Sequence, residues 1–435
     1  KPQVTDDNYE LFSKYQDLIH NRNWYDRYDC LRQHLIALRN DTSQPTRVKH
    51  MFIDNAQDMN HIQVLWALEH AIAGIKMTLC IEDDQCIFNR SGAMGSKVID
   101  MALDSEARFN KVTLHKSYRL TKNLKELSYK VVSLADQRYP KGDLEVLDKE
   151  TSVEIKEFNS RKQEIESVIS NIRRYFKDNP NSKVAVITRS DEDSRYIAKH
   201  FIQESFPFTD YSRNIWEMPG SIVVIDVLEV LLGIANNATL KNVLSTFGLT
   251  SKSIDAIFSK DFHAEGWLQT GAKIDKSLIN CDVESKKVVQ IQSMLTSYYN
   301  LRTKLSIKDI FKSLCFELMK SMTSEDKKDA LYAIEKVLSF KGDIKENINL
   351  IRQDKQINPN AQLILGPVRE FRNFEFDLVF MPFCQANVYP YDYKVLGKKN
   401  SADRRIFFTA MTRSKGTVYI SYTGSPSTYI RALQK

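Results

Sequence analysis

Two groups of polar side chains follow apolar runs near the start of the chain, and they are the first residues that could do chemistry. The run VKHMFID ends at Asp54, with Asp58 four residues later, and the run KMTLCIED leads into Gln85. A carboxylate at a strand end can hold Mg²⁺, usually through water, and a glutamine there can orient a water or sense a phosphate. Ligands bind in the crevice at the carboxyl ends of such strands. These residues therefore predict a nucleotide site, and two such strand ends in succession are a more specific signal than one.

Alternating strand and helix patterns surround these residues. Strands are predicted at 48–54, 76–83, 183–189, 361–366, 376–382 and 416–423, those at 48–54 and 183–189 being buried. Helices are predicted around 9–19, 30–38, 61–72, 161–176 and 196–201, with Ser160 and Gln163 as a capping box before the fourth. Residues 211–355 have helical spacing and few strand signals. The pattern predicts an α/β fold with a parallel sheet that a mainly helical insertion interrupts.

Composition limits the function classes. At 435 residues the chain is long enough for two or three domains. No apolar run has the length of a membrane span, and no signal peptide opens the sequence. The six cysteines are scattered without a CxxC pair, which argues against a zinc site or a disulfide framework and favours a reducing, cytoplasmic location.

The net charge of +7 is concentrated at one end. Residues 391–435 hold nine lysines and arginines against Asp392 and Asp403. A basic segment can face the phosphates of a nucleotide or a nucleic acid. A solvated surface is the alternative interpretation, and the charge alone favours that alternative.

The order of the motifs resembles that of the UvrD/Rep-type superfamily 1 helicases, from their second motif to their end. FIDNAQDMNHIQ resembles the family's DEAQD-x-x-x-x-Q, EDDQCIFNRSGA resembles GDDDQSIYxxRGA, and LHKSYRLT resembles LxxNYRS. AVITRSDEDSRYIAKHF, FRNFEFDLVFM and DRRIFFTAMTRSKGTVYIS resemble AVLYRxNxQSRxLExxL, KGLEFDxVF and EERRLxYVAxTRAxxxLxIS. Each motif alone is a weak signal, whereas six in the family's order are a strong one for fold.

The resemblance implies two RecA-like parallel-sheet domains, the first incomplete, with the helical insertion in the second. The implied domain bounds are 1–107 for the rest of the first domain with a helical part, 108–210 and 356–435 for the two halves of the second, and 211–355 for the insertion. It also implies ATP and Mg²⁺ as ligands and single-stranded DNA as partner. The implied roles are Mg²⁺ binding for Asp54, γ-phosphate contact for Gln85 and Arg119, adenine stacking for Tyr118, ribose contact for Glu375 and an arginine finger for Arg413.

The arginine at the last motif has a physical basis of its own, because a guanidinium is always charged and its fork fits phosphate oxygens. A surface ion pair is the alternative for Arg413 without its motif. Four lysines of the basic segment, Lys394, Lys398, Lys399 and Lys415, are predicted to face nucleic-acid backbone instead. The first three lie in a turn-like stretch that suits a surface position.

The departures from the family pattern bear on activity. Asn55 stands where the family has its catalytic glutamate, and an amide cannot accept the proton, a loss that costs on the order of 10²- to 10⁴-fold in rate. No GxxxxGK[ST] phosphate loop occurs, and GAMGSKV at 92–98 has the wrong spacing and position. Further departures are Arg369, Arg372 and Asn373 at the family's histidine, lysine and glycine, and Arg90 and Ser91 at its DNA-contacting aromatic and arginine.

Two explanations of the missing loop are open: the loop lies upstream of this chain, which the start without methionine favours, or the protein lacks it. Asn55 is either engineered or natural, and the accompanying departures favour natural divergence. Three functions follow. The first is a degenerate helicase module that binds DNA or a partner with little ATP hydrolysis. The second is an ATP-dependent 3′-to-5′ translocase, and the third is a scaffold subunit of a nuclease or defence complex that docks through residues 211–355.

Overall fold

The structure, a computed structural model, describes residues 6–22, 24–149, 151–258, 264–270, 282–339, 342–344, 348, 361–390 and 401–434. The chain divides into two compact units. The sheet unit comprises Lys1–Ser212 and Ile357–Lys435, and the helical unit comprises Arg213–Gln356. The correspondence of these units to helicase domains stays a prediction.

All strands in the described ranges belong to the sheet unit. They are β1 (His50–Ile53), β2 (Lys76–Leu79), β3 (Lys116–Thr121), β4 (Glu145–Leu147), β5 (Val153–Phe158), β6 (Val184–Thr188), β7 (Thr209–Asp210), β8 (Leu363–Pro367), β9 (Phe376–Met381) and β10 (Ser414–Thr423). Six of them form one sheet in the order β5-β10-β9-β6-β8-β7, and every neighbouring pair is parallel. β1 pairs with β2, and β3 with β4, again in parallel.

The helices of the sheet unit surround these strands. They are α1 (Asp6–Asn21), α2 (Arg27–Arg39), α3 (His61–Ile72), α4 (Lys97–Leu103), α5 (Lys122–Val132), α6 (Arg161–Asp178), α7 (Asp191–Gln203), α15 (Ser401–Met411) and α16 (Thr428–Leu433). Short 3-10 turns at Ala56–Asp58, Asp83–Gln85, Asn89–Ser91 and Val368–Phe371 connect several of them. No helix in the described ranges is both long and apolar enough to cross a bilayer.

The six-stranded sheet is covered on both faces. Its central strand β6 is buried at all five positions, as expected for a parallel strand between two helical layers. The apolar stripe of α6, with Ile165 and Ile172, packs on one face with α7, while α5 and α15 pack on the other. The α/β RecA-like fold class predicted from the sequence is confirmed.

The predicted capping box before α6 forms only in part. The Ser160 hydroxyl accepts a hydrogen bond from the Gln163 backbone N–H. The Gln163 side chain, however, accepts from the N–H of Asn159 and not from that of Ser160. The helix start was correctly predicted, and the reciprocal bond is displaced by one residue.

The strand β1 forms where predicted, but the prediction that it is buried is wrong. Phe52 is 70% exposed, and its ring stacks on that of His50 at 4.0 Å. β1 has only β2 beside it in the described part of the chain, and a small core around Val64 and Leu68 covers its other face. The apolar composition of a strand does not reveal how many layers cover it.

The helical unit is built on one hydrophobic core. Its helices are α8 (Pro219–Leu232), α9 (Asn237–Thr246), α10 (Ser251–Ile257), α11 (Ala264–Thr270), α12 (Asp282–Leu301), α13 (Ile307–Met319) and α14 (Ser324–Ser339). Nearly every residue of α8 is buried. α8 and α14 approach closely at Gly220, where an added Cβ would lie 2.1 Å from the backbone oxygen of Asp326.

Because that obstacle is backbone, Gly220→Ala should destabilise the helical unit. Overpacking of this kind costs about 1–3 kcal/mol in the free energy of unfolding. Gly266→Ala in α11 is the matched control, since nothing lies within 4 Å of its Cβ position and alanine favours a helix over glycine. Chemical denaturation followed by circular dichroism checks both variants. Equal unfolding midpoints for the two would show that α8 and α14 do not pack in this way.

Candidate functional site

The turn after β1 carries the first candidate residues. Asp54 is exposed, and its Oδ1 accepts a hydrogen bond of 2.9 Å from the Asn55 backbone N–H. Asn55 has φ of 54°, in the left-handed region that asparagine tolerates better than most residues. The Ala56 N–H then donates to the Cys80 carbonyl at 2.9 Å, which ties the turn to the end of β2.

The side chain of Asn55 is bonded at both of its polar atoms. Its Oδ1 accepts from Gln57 Nε2 at 3.2 Å, and its Nδ2 donates to Asn373 Oδ1 at 3.2 Å. Gln57 Oε1 in turn accepts from the Glu82 N–H at 3.0 Å. An ionised glutamate at position 55 could not donate to Asn373, because a carboxylate is an acceptor only. A glutamate there could bond to Asn373 only as an acceptor, with the Asn373 amide turned to donate.

The acidic residues of the second strand end are neutralised by the chain itself. Arg138 donates to both oxygens of Asp84, at 2.6 and 2.8 Å. Lys141 pairs with Asp84 at 2.6 Å, with Asp83 at 2.9 Å and also with Glu82. Burial by itself raises the pKa of Asp84, but the hydrogen bonds and charges of Arg138 and Lys141 outweigh it and hold that pKa below its ordinary value. These carboxylates therefore form their ion pairs with cations of the protein itself.

Arg413 follows α15 and is almost completely buried, with 1% of its surface exposed. Its guanidinium donates to the Thr409 carbonyl at 3.0 Å, the Arg372 carbonyl, Gln85 Oε1 at 3.2 Å and Thr412 Oγ1 at 3.2 Å. Burial lowers its pKa to about 9, and the charge of Arg119 acts in the same direction. Arg413 stays protonated at pH 7. Because these four acceptors are uncharged and a buried charge is costly unless paired, the surroundings of this cation favour an anion.

Three other predicted residues lie close to Arg413 or to one another. Arg119 Nη1 pairs with Glu375 Oε1 at 3.3 Å, and Lys415 Nζ lies 3.7 Å from Glu375 Oε2. Tyr118 is 80% exposed and has the Lys116 ammonium 5.8 Å from its ring centroid. Its ring face suits stacking on a planar group.

The structure therefore brings Gln85 to Arg413 and Arg119 to Glu375. Lys394, Lys398 and Lys399 lie outside the described residues. Sequence reasoning missed Arg138, Lys141 and the partnership of Arg372 with Asp58, whose side chains form an ion pair. The RYPK stretch at 138–141 showed basic residues but no sign of their partners.

Comparison with known proteins gives a matching family model and several similar proteins. A family model described as UvrD-like helicase C-terminal domain matches residues 112–425. The "Probable DNA helicase II homolog" of Rickettsia conorii is 21% identical over 407 residues, which cover 87% of this chain and 61% of that protein. The "ATP-dependent DNA helicase PcrA" of Staphylococcus epidermidis is 20% identical over 410 residues, 86% of this chain and 55% of that protein.

The chain thus spans between 55% and 61% of the length of these two relatives. A crystal structure of the C-terminal domain of a possible DNA helicase from Lactobacillus plantarum aligns with 73% of this chain and 94% of that one, at 10% identity. Its TM-score of 0.29 is too low to carry an argument. The family model covers well over half of the chain, and the chain belongs to the UvrD-like helicase C-terminal domain family.

Proposed function

We propose that this chain is a degenerate UvrD-like helicase module that binds single-stranded DNA or a protein partner and hydrolyses ATP poorly or not at all. The observation that carries the proposal is the bonding of Asn55. Its amide stands at the position of the family's base and is held between Gln57 and Asn373. Since an amide cannot take a proton from water, this position supplies no general base.

The proposal keeps a nucleotide-binding role for the residues that match the family. Tyr118 offers an exposed ring for a base, and Glu375 lies beside Arg119 where a ribose would be recognised. Gln85 and Arg413 would meet the terminal phosphate, and their mutual bond of 3.2 Å supports a common site. ATP and Mg²⁺ are the ligands that the family relationship suggests.

A translocase whose phosphate loop lies upstream is the second candidate. The contact between Gln85 and Arg413 supports it. A scaffold role that docks through residues 211–355 is the third; the helical unit exposes single apolar side chains, among them Leu305, Phe316 and Leu331.

The first functional prediction concerns turnover. The chain alone should release no phosphate from ATP above background, with or without single-stranded DNA, because it has neither a phosphate loop nor a base at position 55. In a full-length protein that has a phosphate loop, Asn55→Glu should raise kcat by roughly 10²-fold or more while ATP affinity stays similar.

Asn373→Gly is the companion to that test, because it removes the partner of the Asn55 amide and restores the family's residue. The double variant Asn55→Glu with Asn373→Gly should turn over at least as fast as Asn55→Glu alone. Steady-state phosphate release is measured for the unmodified protein, for Asn55→Glu, for Asn373→Gly and for the double variant. DNA-dependent release by the unmodified chain would overturn the degenerate reading, and no gain in any full-length variant would favour the non-enzymatic roles.

The second functional prediction separates DNA contacts from nucleotide contacts. Charge reversal at Lys398 and Lys399 should weaken binding of single-stranded DNA and flatten its salt dependence by roughly 0.7 in slope per lost phosphate contact. Arg413→Ala should leave DNA affinity nearly unchanged because the side chain is buried. The unfolding midpoint of this variant should fall, because the carbonyls of Thr409 and Arg372 lose their hydrogen-bond donor.

Fluorescence anisotropy titrations at several salt concentrations provide the measurement. Reversal of Lys122 and Lys130, which are exposed on α5, makes the same change in net charge and serves as the control. If the Lys398 and Lys399 variant binds like this control, or if the chain has no DNA affinity at low salt, the protein-docking role takes first place.

A further inference from the structure

Arg372 joins two lobes of the sheet unit. The small lobe contains β1, β2, α3 and α4, and the large lobe contains the six-stranded sheet. Arg372 follows the 3-10 turn Val368–Phe371 of the large lobe. Its guanidinium pairs with Asp58 of the small lobe and lies 4.5 Å from the ring centroid of Phe88, also of the small lobe. The side chains of the pair are only 24% and 15% exposed.

Other contacts cross the same boundary, including the ion pairs of Arg138 and Lys141 with Asp84 and two hydrogen bonds near Arg372. Asn55 Nδ2 donates to Asn373 Oδ1, and Arg413 Nη2 donates to Gln85 Oε1, both at 3.2 Å. Arg372 also takes part in the second bond indirectly, because its carbonyl accepts from Arg413 Nη1. Adjacent residues of the large lobe thus contact the turn after β1 and fix the orientation of Arg413.

The family relationship suggests Mg²⁺ beside this turn, where most of the nearby carboxylates are already paired with protein cations. One oxygen of Asp58 is bonded to Arg372, and the other is buried without a hydrogen-bond partner. Asp83 and Asp84 are paired with Lys141 and Arg138. Within the described ranges, no group of three acidic, histidine or cysteine side chains could hold a metal. Mg²⁺ is usually held through one or two carboxylates together with waters and substrate phosphates, which leaves the exposed Asp54 as the carboxylate of this turn that could contribute.

The charge of Arg372 already compensates the acidic residues of the turn. Burial lowers the pKa of Arg372, and the negative charge of Asp54 counteracts that effect. The guanidinium therefore stands near both aspartates of the turn, where a divalent cation would otherwise balance them. Removing one member of a largely buried ion pair leaves an uncompensated charge and is strongly destabilising.

We propose that Arg372 is an interlobe clip: a protein cation that pairs with Asp58 in the turn after β1 and holds that turn against the large lobe without nucleotide or metal. This inference goes beyond the proposed function, since it requires neither DNA binding nor the absence of turnover. It predicts a closed arrangement of the sheet unit that is indifferent to divalent cations. It also predicts that opening the clip frees Arg413 from the Gln85 side.

Hydrogen–deuterium exchange of the whole chain, read by mass spectrometry, tests the clip. In Arg372→Gln, peptides covering residues 54–59 and 86–95 should exchange at least about tenfold faster than in the unmodified protein, since local opening governs exchange. In the unmodified protein, millimolar Mg²⁺ or a chelator should leave the exchange of these peptides unchanged.

Arg369→Gln is the matched control. Arg369 lies in the same turn as Arg372, and its bidentate pair with Asp191 at 2.6 Å stays inside the large lobe. This variant should leave peptides of the small lobe as they are. The double variant Asp58→Arg with Arg372→Asp reverses the pair and should recover most of the lost protection, which loss of folding in Arg372→Gln could not explain.

Peptides from β6, the buried central strand of the large lobe, report folding of each variant. Unchanged exchange at residues 54–59 in Arg372→Gln would overturn the proposal. So would saturable protection of these residues by Mg²⁺ in the unmodified protein, or failure of the reversed pair to recover protection while β6 remains protected.

Discussion

The arrangement of the site depends on one electrostatic constraint, which is that charges taken out of water need compensation. On the acidic side the chain provides that compensation itself: Arg138 and Lys141 neutralise the aspartates after β2, and Arg372 neutralises Asp58. On the basic side, Arg413 is buried among uncharged oxygens. The carboxylates that pair with Arg138, Lys141 and Arg372 are therefore compensated by protein cations, whereas the hydrogen-bond acceptors of Arg413 carry no charge. That asymmetry favours an anionic ligand at Arg413.

The sequence allowed much of the fold to be predicted because its signals are local. Helix α3 runs from His61 to Ile72 as its apolar spacing indicates, and β6 is buried as its continuous apolar run suggests. The prediction that β1 is buried was wrong, because burial of a strand depends on the strands and helices that neighbour it in space. Motif order located the candidate residues. Their ion pairs escaped prediction because Asp84 and Arg138 are 54 residues apart, and Asp58 and Arg372 are 314 apart; no periodicity links such positions.

Asn55 and Asn373 illustrate how two departures from a family pattern can be one physical change. Taken separately, each position has lost a residue of the family pattern: the catalytic glutamate at 55 and the glycine at 373. In the structure their amides are bonded to each other, and an ionised glutamate in place of Asn55 could only accept a hydrogen bond from the Asn373 amide. The neighbouring departure, Arg372, pairs with Asp58 in the same turn. Asn55, Arg372 and Asn373, which lie on two distant segments, thus belong to one contact surface.

The same surface sets what a ligand must do to enter. A phosphate group that reaches Arg413 competes with Gln85, a neutral acceptor at 3.2 Å, and with backbone carbonyls. A charged oxygen is the stronger acceptor, so the exchange at Gln85 favours the ligand. Arg372 is different, because it is already bonded to a carboxylate that has no other hydrogen-bond partner within the described part of the chain. Binding that moves Arg372 must leave Asp58 uncompensated, whereas binding at Arg413 alone need not. A ligand of this cleft is therefore expected to engage Arg413 first while the lobes remain joined through Arg372.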